Sequence, residues 1–265
     1  MSIEPLVSVV IPSYNHKEFI LKAIESVLNQ TYKNVEIVVV DDGSTDGSVE
    51  MLEEESGRLG FKFIAQSNRG VSRTLNRAIR ELSTGEYICF LASDDYFAPT
   101  KVEKQLEALR KSDLTGFCYT QSVEFDSNTG AEIRTFPKKT YSGNVLDSLI
   151  IRQPYAGGTI MVKRAVYDSV GGFDESLSIE DWDFSIRCAA VTEFVCVHEP
   201  LFYYRSHSTN SMKIMGRRKI FLAKAMILSK NYMLVSPSRW IFALLVNFVH
   251  DHAYVFTRHL RLKKI

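Results

Sequence analysis

The sequence predicts an α/β protein, and three observations carry that prediction. Apolar runs of strand length alternate with segments of helical periodicity as far as residue 114, which is typical of a parallel nucleotide-binding sheet. A hairpin signature then interrupts this alternation, so the segment up to residue 210 is expected to form a mixed sheet. From residue 211 onwards, apolar residues recur at helical spacing among many basic residues, which predicts a C-terminal helical extension.

The first strand-helix-strand unit begins at the N-terminus. Residues 6–11 form an apolar run that ends at Pro12, and residues 35–40 form a second run. Asn15 is predicted to cap the helix between them, with Glu18 at the capping-box position. Because such crossovers join neighbouring strands with a right-handed turn, we expect the two strands to pair in parallel. The helix is expected to bury Ile20, Ala23, Ile24, Val27 and Leu28.

The later elements follow from the same signals. In the first half they are a helix at 49–55, a strand at 61–65, a helix at 72–82, a strand at 86–91 and a helix that Pro99 opens. In the second half they are a hairpin of 116–125 with 131–136, a strand at 159–162 and a helix from Glu180 to Ala190. A wound nucleotide-binding half is thus predicted to join a mixed one.

Composition narrows the class of protein. The N-terminus has no apolar signal region and no apolar run is long enough to span a bilayer, so we expect a cytoplasmic protein. The four cysteines lack CxxC spacing, which predicts buried free thiols rather than zinc or disulfides. Residues 213–265 carry 11 Lys or Arg residues and one acid, whereas acids outnumber basic residues in the rest of the chain.

A carboxylate pair follows the strand at 86–91. Asp94 and Asp95 come at the carboxyl end of that strand, where an open α/β sheet binds its ligands. Adjacent carboxylates repel each other, and a divalent cation that carries substrate phosphates relieves the repulsion. This predicts a metal-bound nucleotide. Capping of the next helix is the alternative that the pair alone leaves open.

A second pair, Asp41 and Asp42, ends the strand at 35–40. No GxGxxG loop is present to hold a pyrophosphate, and carboxylates would repel one. They can instead accept hydrogen bonds from a base or from ribose hydroxyls, which fits the nucleoside end of a ligand. An Asx turn is the alternative, and it fits residues 44–46 better than the paired acids.

Three acids lie at the start of the helix near residue 180. Glu180, Asp181 and Asp183 there would complement the helix dipole, which is a sufficient structural explanation. A carboxylate at a helix N-terminus beside the glycines at 171–172 is also well placed to act as a general base.

Taken together, these motifs resemble family 2 glycosyltransferases across residues 6–207. The resemblance rests on Val9-Val10-Ile11-Pro12-Ser13-Tyr14-Asn15, Asp41-Asp42-Gly43-Ser44, Asn68-Arg69-Gly70-Val71-Ser72, Gly85-Glu86-Tyr87-Ile88, Ser93-Asp94-Asp95, Gly171-Gly172-Phe173-Asp174 and Glu180-Asp181 in this order. It implies an A-type glycosyltransferase fold and inverting transfer from a nucleotide-diphosphate sugar, usually a UDP-sugar, to a glycan or lipid-linked glycan hydroxyl. It also implies a catalytic domain at 1–210, with a donor half at 1–114 and an acceptor half at 115–210, followed by a tail at 211–265.

The resemblance also assigns roles to single residues. Asp181 would be the general base, and His207 would lie near the donor diphosphate as a metal ligand, although a packed surface histidine is the alternative. Two positions depart from many relatives, namely Ala92 in place of Asp and Leu75 in place of a base-contacting Arg. His16 and His198 receive no role. The nucleotide would be bound by Pro12, Tyr14, Asp41, Asp42 and Asp94, and Mn²⁺ or Mg²⁺ by Asp95 with Asp94 nearby.

Two other classes of protein compete with a transferase. A sugar-nucleotide nucleotidyltransferase would need a basic glycine-rich loop, which residues 13–17 match poorly, whereas a non-catalytic nucleotide-sugar binding module would not need Asp181. Tyr155 and Trp182 either stack on acceptor sugars or belong to the core.

The tail either attaches to an anionic membrane surface, with Trp240 at the interface, or packs on the domain or in a homo-oligomer. No nucleic-acid partner is expected.

Overall fold

The computed structural model describes residues 4–262, with only the backbone course given for Met212 and for residues 251–262. The first half comprises β1 (Val7–Ser13), α1 (Lys17–Leu28), β2 (Val35–Asp41), α2 (Ser48–Leu59), β3 (Lys62–Ala65), α3 (Val71–Arg77) with a π-helical continuation (Ala78–Leu82), β4 (Tyr87–Phe90), β5 (Tyr96–Phe97) and α4 (Lys101–Leu109). The second half comprises β6 (Thr115–Asp126), β7 (Glu132–Phe136), α5 (Leu146–Leu149), a 3₁₀ turn (Gly157–Thr159), β8 (Met161–Lys163), α6 (Arg164–Ser169), α7 (Glu180–Ala189) and β9 (Glu193–Ser206). The tail comprises α8 (Ser211–Ile214), α9 (Arg217–Lys230), a 3₁₀ turn (Tyr232–Leu234) and α10 (Pro237–Leu262).

Nine strands of the described chain form a single sheet in the order β3-β2-β1-β4-β8-β6-β9-β5, and β7 pairs with β6. β1 pairs in parallel with β2 and β4, and β2 pairs in parallel with β3, as predicted for the wound half. β8 runs antiparallel to both β4 and β6, and the β6–β7 hairpin is antiparallel. The predicted change from a parallel to a mixed sheet is therefore confirmed.

The core lies on both faces of this sheet. Along β1, Val9 packs with α1 and α4 on one face, whereas Val10 packs with α3 and α7 on the other, as the two-residue period of a strand requires. Four of the five residues predicted to face inward from α1 are buried, and Leu28, in the last turn, is exposed. All four cysteines are buried free thiols, as predicted.

The predicted N-cap of α1 is wrong. Asn15 has a positive φ of 53°, and its Oδ1 accepts a hydrogen bond of 2.8 Å from the Thr45 N–H in the loop after β2. The helix begins at Lys17, whose N–H donates to Asp46 Oδ2 at 2.9 Å. A carboxylate from the neighbouring loop thus satisfies the helix terminus, and Asn15 links the two loops instead.

The tail helices pack on the catalytic body. Ile227 and Leu228 of α9 and Ala243 of α10 are buried in the same cluster as Phe184 of α7. Trp240, which only the membrane alternative places at a membrane interface, is half-buried, and its Nε1 donates to the Leu228 carbonyl at 2.9 Å. The packing alternative accounts for these residues, and the basic residues Arg258, Arg261, Lys263 and Lys264 lie outside the described side chains. Among the described residues, no helix has the length and apolar character of a membrane span.

Candidate active site

Three potential metal ligands converge at the carboxyl end of β4. Asp94 follows that strand, and His207, just beyond the end of β9, lies with Nε2 at 2.9 Å from Asp94 Oδ2. His16 enters from the start of α1, where its Nδ1 lies 2.7 Å from Ser93 Oγ. One ligand atom from each of His16, Asp94 and His207 lies within 4.8 Å of the others. Burial lowers the pKa of His16, which favours the neutral imidazole that a metal requires.

Arg205 of β9 fixes both acids of the Asp94–Asp95 pair. Its backbone N–H donates to Asp95 Oδ1 at 2.7 Å, and its Nε donates to the Asp94 carbonyl at the same distance. Its guanidinium lies over the Phe19 ring, 4.6 Å from the centroid. Burial and the neighbouring charge of Asp94 raise the pKa of Asp95 well above its usual value. Asp95 is not one of the three residues that converge here, and its predicted role as a metal ligand stays a prediction.

The carboxyl ends of β1 and β2 carry the residues predicted to bind the nucleoside. Asp42 accepts hydrogen bonds of 2.8 Å from Gln66 Nε2 and from the backbone N–H groups of residues 69 and 70. Asp41 accepts from the N–H groups of Gly43 and Ser44, so it forms an Asx turn, and Asp46 forms the one expected within residues 44–46 by accepting from the Ser48 N–H at 3.0 Å. Pro12 is half-buried, and Tyr14 is 49% exposed, which leaves its ring accessible for stacking.

A cavity of about 200 Å³ lies between β4 and the start of α7. Asp95, Glu180 and Asp181 line it, together with Leu75 and Ala92, the two positions that depart from the family pattern. A Cβ at Gly157 would lie 3.0 Å from Asp181 Oδ2, so a larger residue at this wall would need the Asp181 carboxylate to shift. The cavity thus joins the acids of the donor half to those of α7.

Asp181 is half-buried in the first turn of α7, and Gln153 Nε2 donates to its Oδ2 at 2.9 Å. Burial raises the pKa of Asp181, and the Gln153 hydrogen bond opposes that effect. Burial and the charge of Asp181 raise the pKa of Glu180 to about 7. Asp183 instead has a structural role, because Arg187 Nε and Asn231 Nδ2 bind its carboxylate at 2.8 and 2.7 Å.

A larger open cleft of about 850 Å³ lies on the other side of Asp181, which lines both spaces. Tyr155 is buried at its wall and stacks on Tyr119 with ring centroids 4.2 Å apart. Trp182 is buried and donates from Nε1 to the Leu149 carbonyl at 2.7 Å. Both aromatic residues therefore belong to the core, which is the alternative to acceptor stacking that the sequence had left open.

Comparison with known proteins places this geometry in a family. The family model described as "Glycosyl transferase family 2" matches residues 8–171, which is more than half of the chain. The chain belongs to glycosyltransferase family 2. The predicted resemblance is thereby confirmed, and a transferase is confirmed over the competing classes at the level of the family.

Curated relatives agree with this membership. The chain is similar to an uncharacterized glycosyltransferase of Rickettsia typhi, with 32% identity over 78% of this chain and 66% of the relative. Its similarity to the chondroitin synthase of Escherichia coli is 33% identity over 78% of this chain and 30% of that protein. The match thus spans about two thirds of the first relative's length and less than one third of the second.

Solved structures show the same fold. The chain matches Staphylococcus aureus TarS 1–349 in complex with UDP-GlcNAc with a TM-score of 0.71 and 20% identity, over 93% of this chain and 72% of that one. It matches the mannosyltransferase PcManGT of Pyrobaculum calidifontis, in complex with GDP-Man and Mn²⁺, with a TM-score of 0.67 and 19% identity, over 98% of this chain and 81% of that one. The predicted A-type glycosyltransferase fold is confirmed.

In this family 2 glycosyltransferase, sequence reasoning missed three residues that shape the site. His16 was given no role, yet it joins Asp94 and His207. Gln153 lies 28 positions before the Asp181 carboxylate that it binds, and no local pattern marks it. Arg205 could have been found, because it is part of the Tyr204-Arg205-Ser206-His207 segment that drew attention to His207.

Proposed function

We propose that the chain transfers a sugar, with inversion, from a nucleotide-diphosphate sugar to a hydroxyl of a glycan or lipid-linked glycan. The observation that carries this proposal is the position of Asp181, which lines both the cavity beside Asp95 and the larger cleft. A donor sugar in the cavity and an acceptor in the cleft would meet at this carboxylate. A UDP-sugar is the proposed donor, supported by the fold shared with TarS, which was solved with UDP-GlcNAc.

The proposed reaction is a single in-line displacement. Asp181 accepts the proton of the acceptor hydroxyl while the hydroxyl oxygen bonds to the anomeric carbon, and the bond from that carbon to the diphosphate breaks. One carboxylate is sufficient, because the diphosphate departs as an anion and needs no proton from a second, acidic carboxyl group. Gln153 holds the Asp181 carboxylate in place, and the raised pKa of Asp181 makes it a stronger base than an ordinary aspartate.

We propose His16, Asp94 and His207 as the residues that hold a divalent cation. The donor set of two imidazoles and a carboxylate, with ligand atoms within 4.8 Å of one another, departs from the all-oxygen set that Mg²⁺ prefers. Mn²⁺ is the proposed ion, because the mannosyltransferase PcManGT, which shares the fold, was solved with it. When bound, the cation would stabilise the negative charge of the departing diphosphate. Arg205 positions Asp94 and Asp95 for this role.

The pH profile of transfer should report on Asp181. Because burial raises its pKa, we expect kcat to fall with decreasing pH at values above the ordinary aspartate pKa of about 3.9, as the base becomes protonated. The measurement is kcat at saturating donor, acceptor and Mn²⁺ across the acidic range, with donor affinity determined at each pH. An acid limb at or below the ordinary value would contradict the assignment.

Release of UDP with and without acceptor tests the function itself. A transferase releases UDP faster when an acceptor is present, a binding module releases none, and a nucleotidyltransferase releases pyrophosphate from a nucleoside triphosphate instead. If the chain binds the donor but releases no UDP either with or without an acceptor, the proposed function is wrong.

We further propose that residues 211–265 attach the catalytic unit, residues 1–210, to an anionic membrane surface. The support is a set of exposed apolar residues on the described parts of α9 and α10, with exposed basic Arg218 and Lys219 also on α9: Leu222, Met226, Ile241, Phe242 and Leu245. Deleting the tail would remove Ile227 from the core cluster that it shares with Phe184 of α7 and would take Asn231 away from Asp183, so point substitutions are the better test.

The double variant Phe242→Glu/Leu245→Glu is expected to lose cosedimentation with anionic liposomes, because each change places a charge where apolar contact is needed. Leu114→Glu is the matched control, since Leu114 is 69% exposed and lies far from the tail in sequence. If the unmodified chain, the double variant and Leu114→Glu are recovered equally, the membrane proposal is wrong. The exposed apolar residues would then point to a homo-oligomer contact, which sedimentation velocity would detect.

A further inference from the structure

The open cleft beside Asp181 has a charge that the proposed transfer does not explain. Among the described residues that line it, Asp181 is the one acid, whereas five are basic: Arg134, Lys138, Lys139, Arg152 and Arg239. They come from three separate segments, namely β7 with the loop after it, the loop after α5 and the first turn of α10. Their convergence is a product of the fold rather than of a basic run in the sequence.

Most of this positive charge has no carboxylate partner within the part of the chain whose side chains are described. Arg134 forms an ion pair with Glu124, with Nε at 2.6 Å from Oε2. The other four form no ion pair with a described residue: Lys138, Lys139, Arg152 and Arg239. Lys139 lies over the Tyr141 ring at 5.3 Å, and Arg239 donates to the Asp147 carbonyl, contacts that leave their charge uncompensated. Lys138, Lys139 and Arg152 are exposed.

This arrangement is suited to anions rather than to neutral sugars. Hydroxyl groups are bound well by neutral polar side chains and aromatic faces, whereas concentrated uncompensated cations favour carboxylates and phosphates. The cleft volume of about 850 Å³ is in the range of sites that bury a whole ligand segment. The cations also offset the repulsion that the Asp181 carboxylate would exert on an anionic ligand.

We propose that this cleft binds an acceptor glycan that carries carboxylate or phosphate groups, with Lys138, Lys139, Arg152 and Arg239 contacting those anions. The inference rests on the proposed function, because it places the acceptor hydroxyl next to Asp181. It names the chemical class of the acceptor, which neither the fold nor the family determines.

Titration calorimetry on the full-length chain tests the proposal with charge-matched probes. A hexuronate oligosaccharide is compared with its methyl ester, which keeps the sugar backbone and removes the charge, and a soluble polyol-phosphate oligomer supplies the phosphate arm. We expect the anionic oligomers to bind at least about tenfold more tightly than the ester, since close charge pairs contribute enough for such a ratio. This advantage should shrink as salt is raised to about 0.5 M.

Variants connect the binding to the cleft. Lys138→Glu and Arg152→Glu should weaken anionic oligomer binding by about tenfold or more, and methyl ester binding should not change. Lys111→Glu is the matched control, because Lys111 is exposed and does not line the cleft. Nucleotide-sugar affinity, measured on each variant, should be unchanged and so reports that the donor half remains folded.

Each outcome decides the proposal. If only one of the two anionic oligomers binds, the proposal stands and that oligomer identifies the anion. Equal affinity for acid and ester, no binding of either anionic oligomer, or equal losses in Lys111→Glu and Arg152→Glu would overturn it. Binding to anionic lipid vesicles that depends on Arg152, without oligomer binding, would also overturn it in favour of a lipid headgroup. Slow UDP release from donor in water tests the transferase independently, so the two hypotheses fail separately.

Discussion

Asp181→Asn should reduce sugar transfer by about 10²–10⁴-fold while leaving donor affinity nearly unchanged, because a general base acts on the acceptor hydroxyl and not on the nucleotide. The substitution keeps the shape of the side chain and its packing against Gly157, so a folding defect is not expected. The Gln153 amide can rotate to face the new amide, which retains the hydrogen bond. Two quantities are measured, namely kcat at saturating acceptor and donor affinity by calorimetry.

Two comparisons make this result specific. Asp113→Asn removes an exposed carboxylate of the same type outside both cavities, and it should leave kcat and donor affinity unchanged. Removing the Asp181 charge should also lower the pKa of Glu180 from about 7, because that charge raises it. Lost donor affinity with transfer intact would show that Asp181 belongs to the donor site instead.

The parts of the fold that local signals encode could be predicted from the sequence. The prediction of the parallel half was correct because buried strands and amphipathic helices leave periodic patterns in the sequence, as in β1 and α1. β5 left no such pattern, since it has two residues and exists through pairing with β9 more than 100 positions later. The cap of α1 failed for the same reason, because its carboxylate, Asp46, lies 29 residues away in sequence.

The same limit applies to the candidate site and to the tail. Asp94, Asp181 and His207 could be chosen because a strand end, a helix start and a family motif marked them. His16 had no such mark, and only the return of β9 to the carboxyl end of β4 brings His207 within reach of it. In the tail, helical spacing predicted an apolar stripe, but docking of α10 decides that Ala243 is buried and Leu245 is exposed.

His207→Gln and Asp94→Asn should each remove most of the Mn²⁺ dependence of donor binding, because each change takes a strong ligand from the proposed trio. Metal affinity should fall by about 10–100-fold or more, because removing only a hydrogen-bond partner of a metal ligand already costs that much. The measurement is the Mn²⁺-dependent shift in Tm with and without UDP-sugar, together with calorimetric donor affinity. His16→Gln should lower Mn²⁺ affinity as well, with Asp94 and His207 still in place.

Asp95 and His198 supply the comparisons that separate ligands from neighbours. His198 is exposed and its Nδ1 lies 3.1 Å from Thr140 Oγ1, so His198→Gln should leave the Mn²⁺ response unchanged. Asp95→Ala should weaken metal-dependent donor binding if Asp95 is a direct ligand, as the sequence predicts. If the Arg205 N–H remains its main partner, Asp95→Ala should mainly lower stability instead, because a buried donor is left unsatisfied. A normal Mn²⁺ response in both Asp94→Asn and His207→Gln would place the metal elsewhere, and Asp95 would then be the first alternative to examine.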